Sequence, residues 1–191
     1  MTQKVLLHCC CAPCSSAIIE WMLNNDVEPV LYYYNPNIYP EEEYLIRKNE
    51  LTRYAKKLGL MVVDDDWEHE KWLEEVGCGR EKEPERGGRC LECFKMRLLA
   101  AAKKCKELGL KEFTTTLASS RWKNLAQINE AGKWAADNVN INVNVNNSLR
   151  ITFNDRNWRK GGLQDRRNAL LKENNFYNQL YCGCEYSMRQ S

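Results

Sequence analysis

Cysteine is the residue type with the clearest chemical potential in this sequence, which has ten of them among 191 residues. Four lie within the six residues Cys9–Cys14, directly after a short apolar run. Two pairs lie far away along the chain, Cys90 with Cys93 and Cys182 with Cys184. An α/β protein places its chemistry at the carboxyl end of the first strand and the start of the first helix, where Cys9–Cys14 would fall. We therefore expect the fold to gather these thiols into one metal and redox centre.

The sequence context indicates that these cysteines are ligands or catalytic thiols rather than structural disulfides. The residues after Met1 lack the character of a secretory signal peptide, and no apolar run reaches the length of a membrane span. We therefore expect a cytoplasmic protein without a membrane partner. Disulfides are rare in that reducing compartment, whereas metal-binding and catalytic cysteines are common.

The Cys90-x-x-Cys93 pair is predicted to open a long helix, where a spacing of three residues puts both sulfurs on one face. A helix N-terminus favours the thiolate, which is the form that binds metal. The adjacent pair Cys10 and Cys11 also precedes a helix. Two such pairs make a four-thiolate site suited to zinc or to an iron–sulfur cluster. The alternatives are a purely structural zinc site and buried thiols that bind nothing.

The Cys182-Gly183-Cys184 segment differs from these pairs in its spacing. Two cysteines separated by one residue close only a small, strained ring, and glycine supplies the backbone freedom that such a ring needs. Strained disulfides are the labile, catalytic kind. This favours a redox pair that passes electrons, with two extra metal ligands or a tail of idle thiols as the alternatives.

The remaining candidates have weaker signals. Cys14 is close enough to the centre to be an extra ligand, for example of a second metal. Cys9 could be the last residue of the strand and face the core, and Cys105 is predicted to pack in the core. His8 could be a ligand, but a lone histidine at a strand end is more often hydrogen-bonded structure.

Strand and helix patterns alternate along the chain, which predicts a single α/β domain over residues 1–191 with a mainly parallel sheet flanked by helices. The predicted strands are Lys4–Leu7, Pro29–Asn35, Leu60–Asp64 and Lys111–Leu117. The predicted helices are Ser15–Leu23, Pro40–Leu58, Trp67–Val76, Cys90–Leu108, Lys123–Asp137 and Leu163–Asn174. Valine or isoleucine alternates with asparagine over Asn138–Asn147, which predicts a peripheral strand or loop without a chemical role.

Charge is unevenly distributed along the chain. Residues 41–75 contain six basic and eleven acidic side chains, whereas residues 80–106 contain nine basic and four acidic ones. Residues 150–172 contain seven basic and two acidic ones. The two basic blocks could hold a polyanion against the cysteine centre. The alternative is that they are ordinary solvated helix faces.

Five motifs, in this order along the chain, resemble the epoxyqueuosine reductases of the QueH type. They are His8-x-Cys10-Cys11-Ala12-Pro13-Cys14, Tyr34-Asn35-Pro36-Asn37-Ile38, Arg89-Cys90-x-x-Cys93-Phe94-x-x-Arg97-Leu98, Thr115-Thr116-Leu117 with Ser120, and Tyr181-Cys182-Gly183-Cys184-x-Tyr186-Ser187. That family reduces epoxyqueuosine to queuosine at the wobble position of tRNA anticodons, as the last step of queuosine biosynthesis. It uses an iron–sulfur cluster and no cobalamin. The resemblance also implies a Rossmann-like fold related to the PP-loop nucleotide alpha-hydrolases.

The resemblance implies roles for individual residues. The ligands of a 4Fe-4S cluster would be Cys10, Cys11, Cys90 and Cys93, and the redox-active pair would be Cys182 and Cys184. Because position 9 is a third consecutive cysteine, the adjacent ligand pair could instead be shifted by one residue. We predict Cys14 as a ligand of an additional mononuclear iron, and the reaction requires an electron donor outside the chain.

A tRNA substrate needs phosphate contacts and surfaces on which bases can stack. Our candidates for phosphate contacts are Arg156, Arg159, Lys160, Arg166 and Arg167, with Trp158 or Tyr186 for stacking. Rival functions are an iron–sulfur enzyme that thiolates tRNA, a thiol–disulfide oxidoreductase and a zinc-stabilised RNA-binding module. The thiolating enzyme would need ATP, and the loop Cys9–Ser16 lacks the glycines that normally cradle phosphates.

Overall fold

Five parallel strands form one sheet in the computed structural model, which describes residues 2–141 and 149–188. The strands are β1 (Gln3–His8), β2 (Val27–Tyr33), β3 (Val62–Asp64), β4 (Glu112–Thr115) and β5 (Thr152–Phe153), in the spatial order β3-β2-β1-β4-β5. β1 is central because it pairs with β2 on one side and with β4 on the other. Its residues Val5, Leu6 and Leu7 are buried, as expected for a strand that is covered on both faces.

Within the described residues, six helices flank this sheet, which confirms the predicted α/β class and is consistent with a Rossmann-like fold. They are α1 (Ala12–Leu23), α2 (Glu41–Leu58), α3 (His69–Trp72), α4 (Gly88–Glu107), α5 (Leu125–Asn140) and α6 (Leu163–Glu173). The Cys11 side chain caps α1 by accepting a hydrogen bond from the Cys14 amide. Among the helices of the described residues, none has both the length and the apolar character to cross a bilayer.

Several predicted bounds differ from the structure, and two elements differ in a way that has a clear local cause. β4 ends at Thr115 rather than Leu117, because the Thr115 hydroxyl accepts a hydrogen bond from the Leu117 amide and turns the chain into a 3₁₀ helix at Thr116–Ser119. The helix that was predicted over Trp67–Val76 starts at His69 and widens into a π-helix at Leu73–Gly77.

The asparagine-rich stretch also differs from its prediction in the part that the structure describes. Residues 138–140 continue α5 instead of starting a strand, and residues 142–147 lie outside the described residues. The edge strand is β5, which the sequence did not reveal because it is only two residues long. Gly132 on α5 permits its close approach, since a Cβ there would overlap the Phe153 ring.

Candidate metal and redox site

The cysteine-rich loop lies where the strand order reverses. β2 and β3 follow β1 on one side of the sheet, and β4 and β5 lie on its other side. Ligands of such sheets bind in the crevice outside the carboxyl ends of the strands at this switch point. The Thr116 hydroxyl joins the two segments there, since it accepts a hydrogen bond from the Cys10 amide at 3.2 Å and donates one to Cys10 Sγ at 3.4 Å.

His8 supports this loop as a structural residue. Its imidazole is buried between the Tyr34 carbonyl oxygen, to which Nε2 donates at 3.2 Å, and the Thr115 hydroxyl, 2.8 Å from Nδ1. Burial and the nearby Arg97 guanidinium lower the pKa of His8 to about 3. The imidazole is therefore neutral at physiological pH, and both of its nitrogens have partners.

The three consecutive cysteines do not point the same way. The Cys9 side chain is fully buried and its Sγ donates to the Leu7 carbonyl oxygen at 3.2 Å. The sulfurs of Cys10, Cys11 and Cys14 instead lie within 4.8 Å of one another, and they are the one group of this kind among the described residues that could hold a metal ion. This grouping favours Cys10 with Cys11, rather than Cys9 with Cys10, as the adjacent ligand pair.

The three grouped thiols differ in how readily they ionise. Hydrogen bonds from the Cys11 and Cys14 thiols hold the pKa of Cys10 well below its usual range. Burial raises the pKa of Cys11, and the hydrogen bond to Cys10 raises that of Cys14 to about 11. The Gln179 amide donates to Cys11 Sγ at 3.2 Å and lies 3.5 Å from Cys14 Sγ. Cys10 is therefore the thiol of this trio whose thiolate is most stabilised, and a cation would draw protons from the other two thiols.

The second pair occupies the first turns of α4, as predicted. Cys90 is half-buried and its Sγ accepts a hydrogen bond from the Arg86 amide at 3.3 Å. Cys93 is buried in a small cluster with Trp72, Val76 and Cys184. Burial raises the pKa of both Cys90 and Cys93, so in the metal-free protein it outweighs the effect that we expected from the helix N-terminus.

The third pair is attached to the rest of the molecule by α2. The buried Arg47 guanidinium donates to the carbonyl oxygens of Tyr181 and Cys182 at 3.3 and 3.2 Å, and the Tyr39 amide donates to the Gly183 oxygen at 2.9 Å. Gly183 has a φ of 132°, which is a conformation that favours glycine. Cys182 is exposed and Cys184 is buried, and burial together with the Cys182 thiol raises the pKa of Cys184 to about 11.

A cleft of about 530 Å³ brings the three sets of cysteines together. Cys14, Cys90, Cys182 and Cys184 all contribute to its wall. The three cysteines outside this arrangement are Cys9, which faces the core, Cys105, whose buried Sγ donates to the Leu110 carbonyl oxygen at 3.4 Å, and the exposed Cys78. The core position that the sequence predicted for Cys105 is therefore confirmed.

A thiolate-binding cofactor fits these residues. The grouped thiols include Cys10, whose thiolate is stabilised, and Cys14 and Cys90 line the same cleft, so soft sulfur ligands face this space from both α1 and α4. Zinc and iron–sulfur clusters select such ligands. The ligand roles of Cys10, Cys11, Cys90 and Cys93, and the redox role of Cys182 with Cys184, stay predictions.

Lys123 is a site residue that the sequence reasoning missed. It follows the 3₁₀ turn after β4 and lines the cleft. Burial lowers its pKa, but the neighbouring Cys182, Cys10 and Cys14 thiols raise it by more, and the net shift is upward. A lysine in the ordinary loop Ser120–Asn124 carries no signal in the sequence, because only the fold places it opposite the cysteines.

The predicted phosphate contacts have different environments. Arg167 is half-buried and lines the cleft, while Arg156 is exposed and lies 3.7 Å above the Trp21 ring. Arg159 donates to the Lys123 carbonyl oxygen at 2.8 Å, and Lys160 is exposed. These four stay predictions.

Arg166 and the two predicted stacking residues require correction. Arg166 is paired with Glu20 at 2.7 Å and with Glu173 at 2.7 Å, so its charge is already neutralised. Trp158 lines the cleft but is only 2% exposed, with its indole packed against Trp21, so no ring face is open to a base. Tyr186 does not itself line the cleft, because its ring packs against Trp72 and under the guanidinium of Arg89, which does.

Comparisons with known proteins agree with the motifs. The family model described as "Epoxyqueuosine reductase QueH" matches residues 5–190. The chain is 44% identical to the epoxyqueuosine reductase QueH of Haemophilus influenzae over 189 residues, which cover 99% of this chain and 73% of that protein. The enzyme of the same name from Acinetobacter baylyi is 43% identical, with 99% and 82% covered, and that from Thermotoga maritima is 32% identical, with 96% and 90% covered.

The match spans the loop after β1, the start of α4 and the Cys182–Cys184 segment, and these are the three parts of the chain that meet in the cleft. The chain therefore belongs to the epoxyqueuosine reductase QueH family.

Proposed function

We propose that this chain reduces epoxyqueuosine to queuosine at the wobble position of tRNA. The observation that carries the proposal is the single cleft lined by Cys14, Cys90, Cys182 and Cys184, in a chain that belongs to a family of oxidoreductases. A tRNA substrate agrees with the cytoplasmic location that we expect.

Cys10, Cys11, Cys90 and Cys93 would hold a 4Fe-4S cluster, and Cys14 would be a ligand of an additional iron. A cluster supplies single-electron chemistry, and a further iron can act as a Lewis acid toward oxygen. The lowered pKa of Cys10 supports this ligand set, because a thiolate is the form that binds metal. No cobalamin is required by the proposal.

The Cys182 and Cys184 thiols supply the electrons and protons that the reaction consumes. Removal of the epoxide oxygen as water breaks two C–O bonds, leaves a C=C double bond, and takes up two electrons and two protons. Oxidation of the dithiol to its disulfide releases two electrons and two protons, so the two half-reactions balance. An external electron donor then returns the disulfide to the dithiol for the next turnover. Exposure of Cys182 supports this regeneration, because a donor must reach one of the two sulfurs.

The charge of the cleft suits a nucleic acid. The cations that line it are Arg86, Arg89, Arg121, Lys123 and Arg167, and the acids are Glu85 and Asp165. The excess of positive charge would attract the phosphates of an anticodon loop while the modified base leaves the stack to reach the thiols. Binding of this kind weakens as the salt concentration rises.

Iron, sulfide and zinc content with a visible spectrum, measured on protein purified without oxygen, test the proposal. About four irons and four sulfides per chain are expected from a 4Fe-4S cluster, and about one further iron from the site at Cys14. Cys11→Ala should remove the cluster, while the core variant Cys105→Ala retains it. One zinc without sulfide would instead favour the zinc-stabilised RNA-binding module.

The redox pair is tested with the double variant Cys182→Ser/Cys184→Ser, assayed for reduction of tRNA that carries epoxyqueuosine. We expect normal iron content and the loss of multiple turnovers. Full multiple-turnover activity of this variant would refute the dithiol route, and a requirement for ATP would favour the thiolating enzyme.

A further inference from the structure

An exposed tryptophan stands at the mouth of the cleft. Trp122 is 66% exposed, which is more than any other aromatic side chain in the described part of the chain. It lines the same cleft as Cys14 and Cys182. A large indole left in water forgoes the stabilisation that burial would give, and contact surfaces for nucleic acids and proteins are where such side chains are commonly found.

The backbone that carries Trp122 is firmly held. Its amide donates to the Ser120 hydroxyl at 3.3 Å, and its carbonyl oxygen accepts from Arg86 Nε at 2.8 Å. The next carbonyl, of Lys123, accepts from Arg159 at 2.8 Å, and the Asn124 side chain caps α5. The backbone that carries the exposed indole is therefore held by contacts to the elements before α4 and after β5. Fixing it in advance lowers the entropy cost of binding.

The charges around Trp122 indicate what would cover it. The Arg121 guanidinium lies 5.5 Å from the centre of the Trp122 ring, and Arg86 and Lys123 line the cleft beside it. An aromatic face surrounded by cations is the arrangement with which proteins bind single-stranded RNA, since bases stack on the ring and phosphates meet the charges. An apolar protein partner would not need three cations in this place.

We propose that Trp122 stacks on an unpaired anticodon-loop base next to the one that enters the cleft, and that Arg121 and Arg86 contact the flanking phosphates. The proposal rests on the proposed function for the identity of the RNA. The stacked base is the neighbour of the reacting one because Trp122 stands exposed at the mouth, whereas Cys10 and Cys184 are buried. Trp122 thus positions the loop and takes no part in the reduction.

Binding of an anticodon stem–loop RNA, measured by fluorescence anisotropy, tests this directly. Base–aromatic stacking is worth about 1–3 kcal/mol, so Trp122→Ala should raise Kd roughly 5- to 150-fold. Trp122→Phe should lose less, because a phenyl ring still stacks. The matched control is Trp134→Ala, since Trp134 is also exposed but does not line the cleft, and its Kd should be unchanged.

A second RNA separates stacking from charge. With the same hairpin carrying abasic sites in the loop, the wild type and Trp122→Ala should bind equally. The proposal is overturned if Trp122→Ala binds the intact loop as the wild type does, or if its loss is as large with the abasic loop.

Binding requires no turnover, so these results do not depend on the proposed reduction. If reduction is confirmed, Trp122→Ala should raise KM for tRNA by about the same factor as it raises Kd. If reduction fails while the stacking results hold, the RNA surface stands and the proposed function falls.

Discussion

Arg47 holds the predicted redox segment in place, and replacing it with methionine should release Cys184. Its side chain is 1% exposed and pairs with Glu43 at 2.6 Å, while two of its nitrogens donate to the carbonyl oxygens of Tyr181 and Cys182. Methionine keeps most of the volume of arginine and removes every one of these donors. The segment then retains the hydrogen bond between the Tyr39 amide and the Gly183 oxygen.

The size of the effect follows from these contacts. Hydrogen bonds from a charged donor contribute about 1.5–3 kcal/mol each, and the two at 3.2 and 3.3 Å belong at the low end of that range. Their loss lowers the free energy of local opening by about 3 kcal/mol, which is roughly a hundredfold in the opening equilibrium. Global stability should fall by about 3–5 kcal/mol, because Glu43 loses its partner in a buried ion pair.

The assay is the rate at which a small alkylating reagent modifies Cys184, relative to the exposed Cys182, at one pH in metal-free protein. We expect Arg47→Met to raise this relative rate about a hundredfold, since Cys184 is 9% exposed in the closed segment. Arg53→Met is the control, because Arg53 lies on the same helix, is largely exposed and donates to Asn174 instead. An unchanged relative rate for Cys184 in Arg47→Met would refute the role of this arginine as an anchor.

Three other substitutions test separate parts of the molecule. Cys9→Ala should keep the iron content of the wild type, because the Cys9 thiol faces the core. Loss of iron would indicate instead that the adjacent ligand pair is Cys9 with Cys10. Gly183→Ala should lower the free energy of unfolding by about 1–3 kcal/mol in denaturant titrations, since φ is 132° and a Cβ would lie 3.0 Å from Ile38. The control is Gly161→Ala, which has open space around it and should lower the free energy of unfolding by about 1 kcal/mol. Burial raises the pKa of Cys105 from 9.0 to about 12, so the unfolded chain releases this proton first and stability falls as pH rises through that window. Cys105→Ala should reduce this slope in metal-free protein, by at most about 1.4 kcal/mol per pH unit, and an unaltered slope would contradict the assignment.

Local sequence patterns were sufficient to predict most of the helices and strands. The helix that ends at Leu58 was predicted because Gly59 can adopt the left-handed conformation, and its φ is 68°. The buried run of β1 and the position of Cys90 at the start of α4 were equally visible. β5 was not, since a strand of two residues has no periodicity and is defined by its pairing with β4.

The cysteines of the candidate site could be predicted from the sequence, but the residues that surround them could not. Thiols at unusual density and spacing have few explanations, so Cys10, Cys11, Cys90 and Cys184 could be singled out from the chain alone. The distinction between Cys9 and its neighbours could not, because it depends on which way each side chain leaves the loop after β1.

The sequence alone determined the fold class, the motifs and the family, because these depend on residue type, spacing and periodicity along the chain. Only the tertiary structure decided which cations remain free for a ligand. Arg166 and Arg167 are adjacent and chemically identical, yet Glu20 from α1 neutralises the first while the second lines the cleft. The same holds for aromatic side chains, since Trp158 is buried by Trp21 whereas Trp122 is left exposed at the cleft mouth. Partners that are distant in sequence set the charge and exposure of a side chain, and no local pattern contains that information.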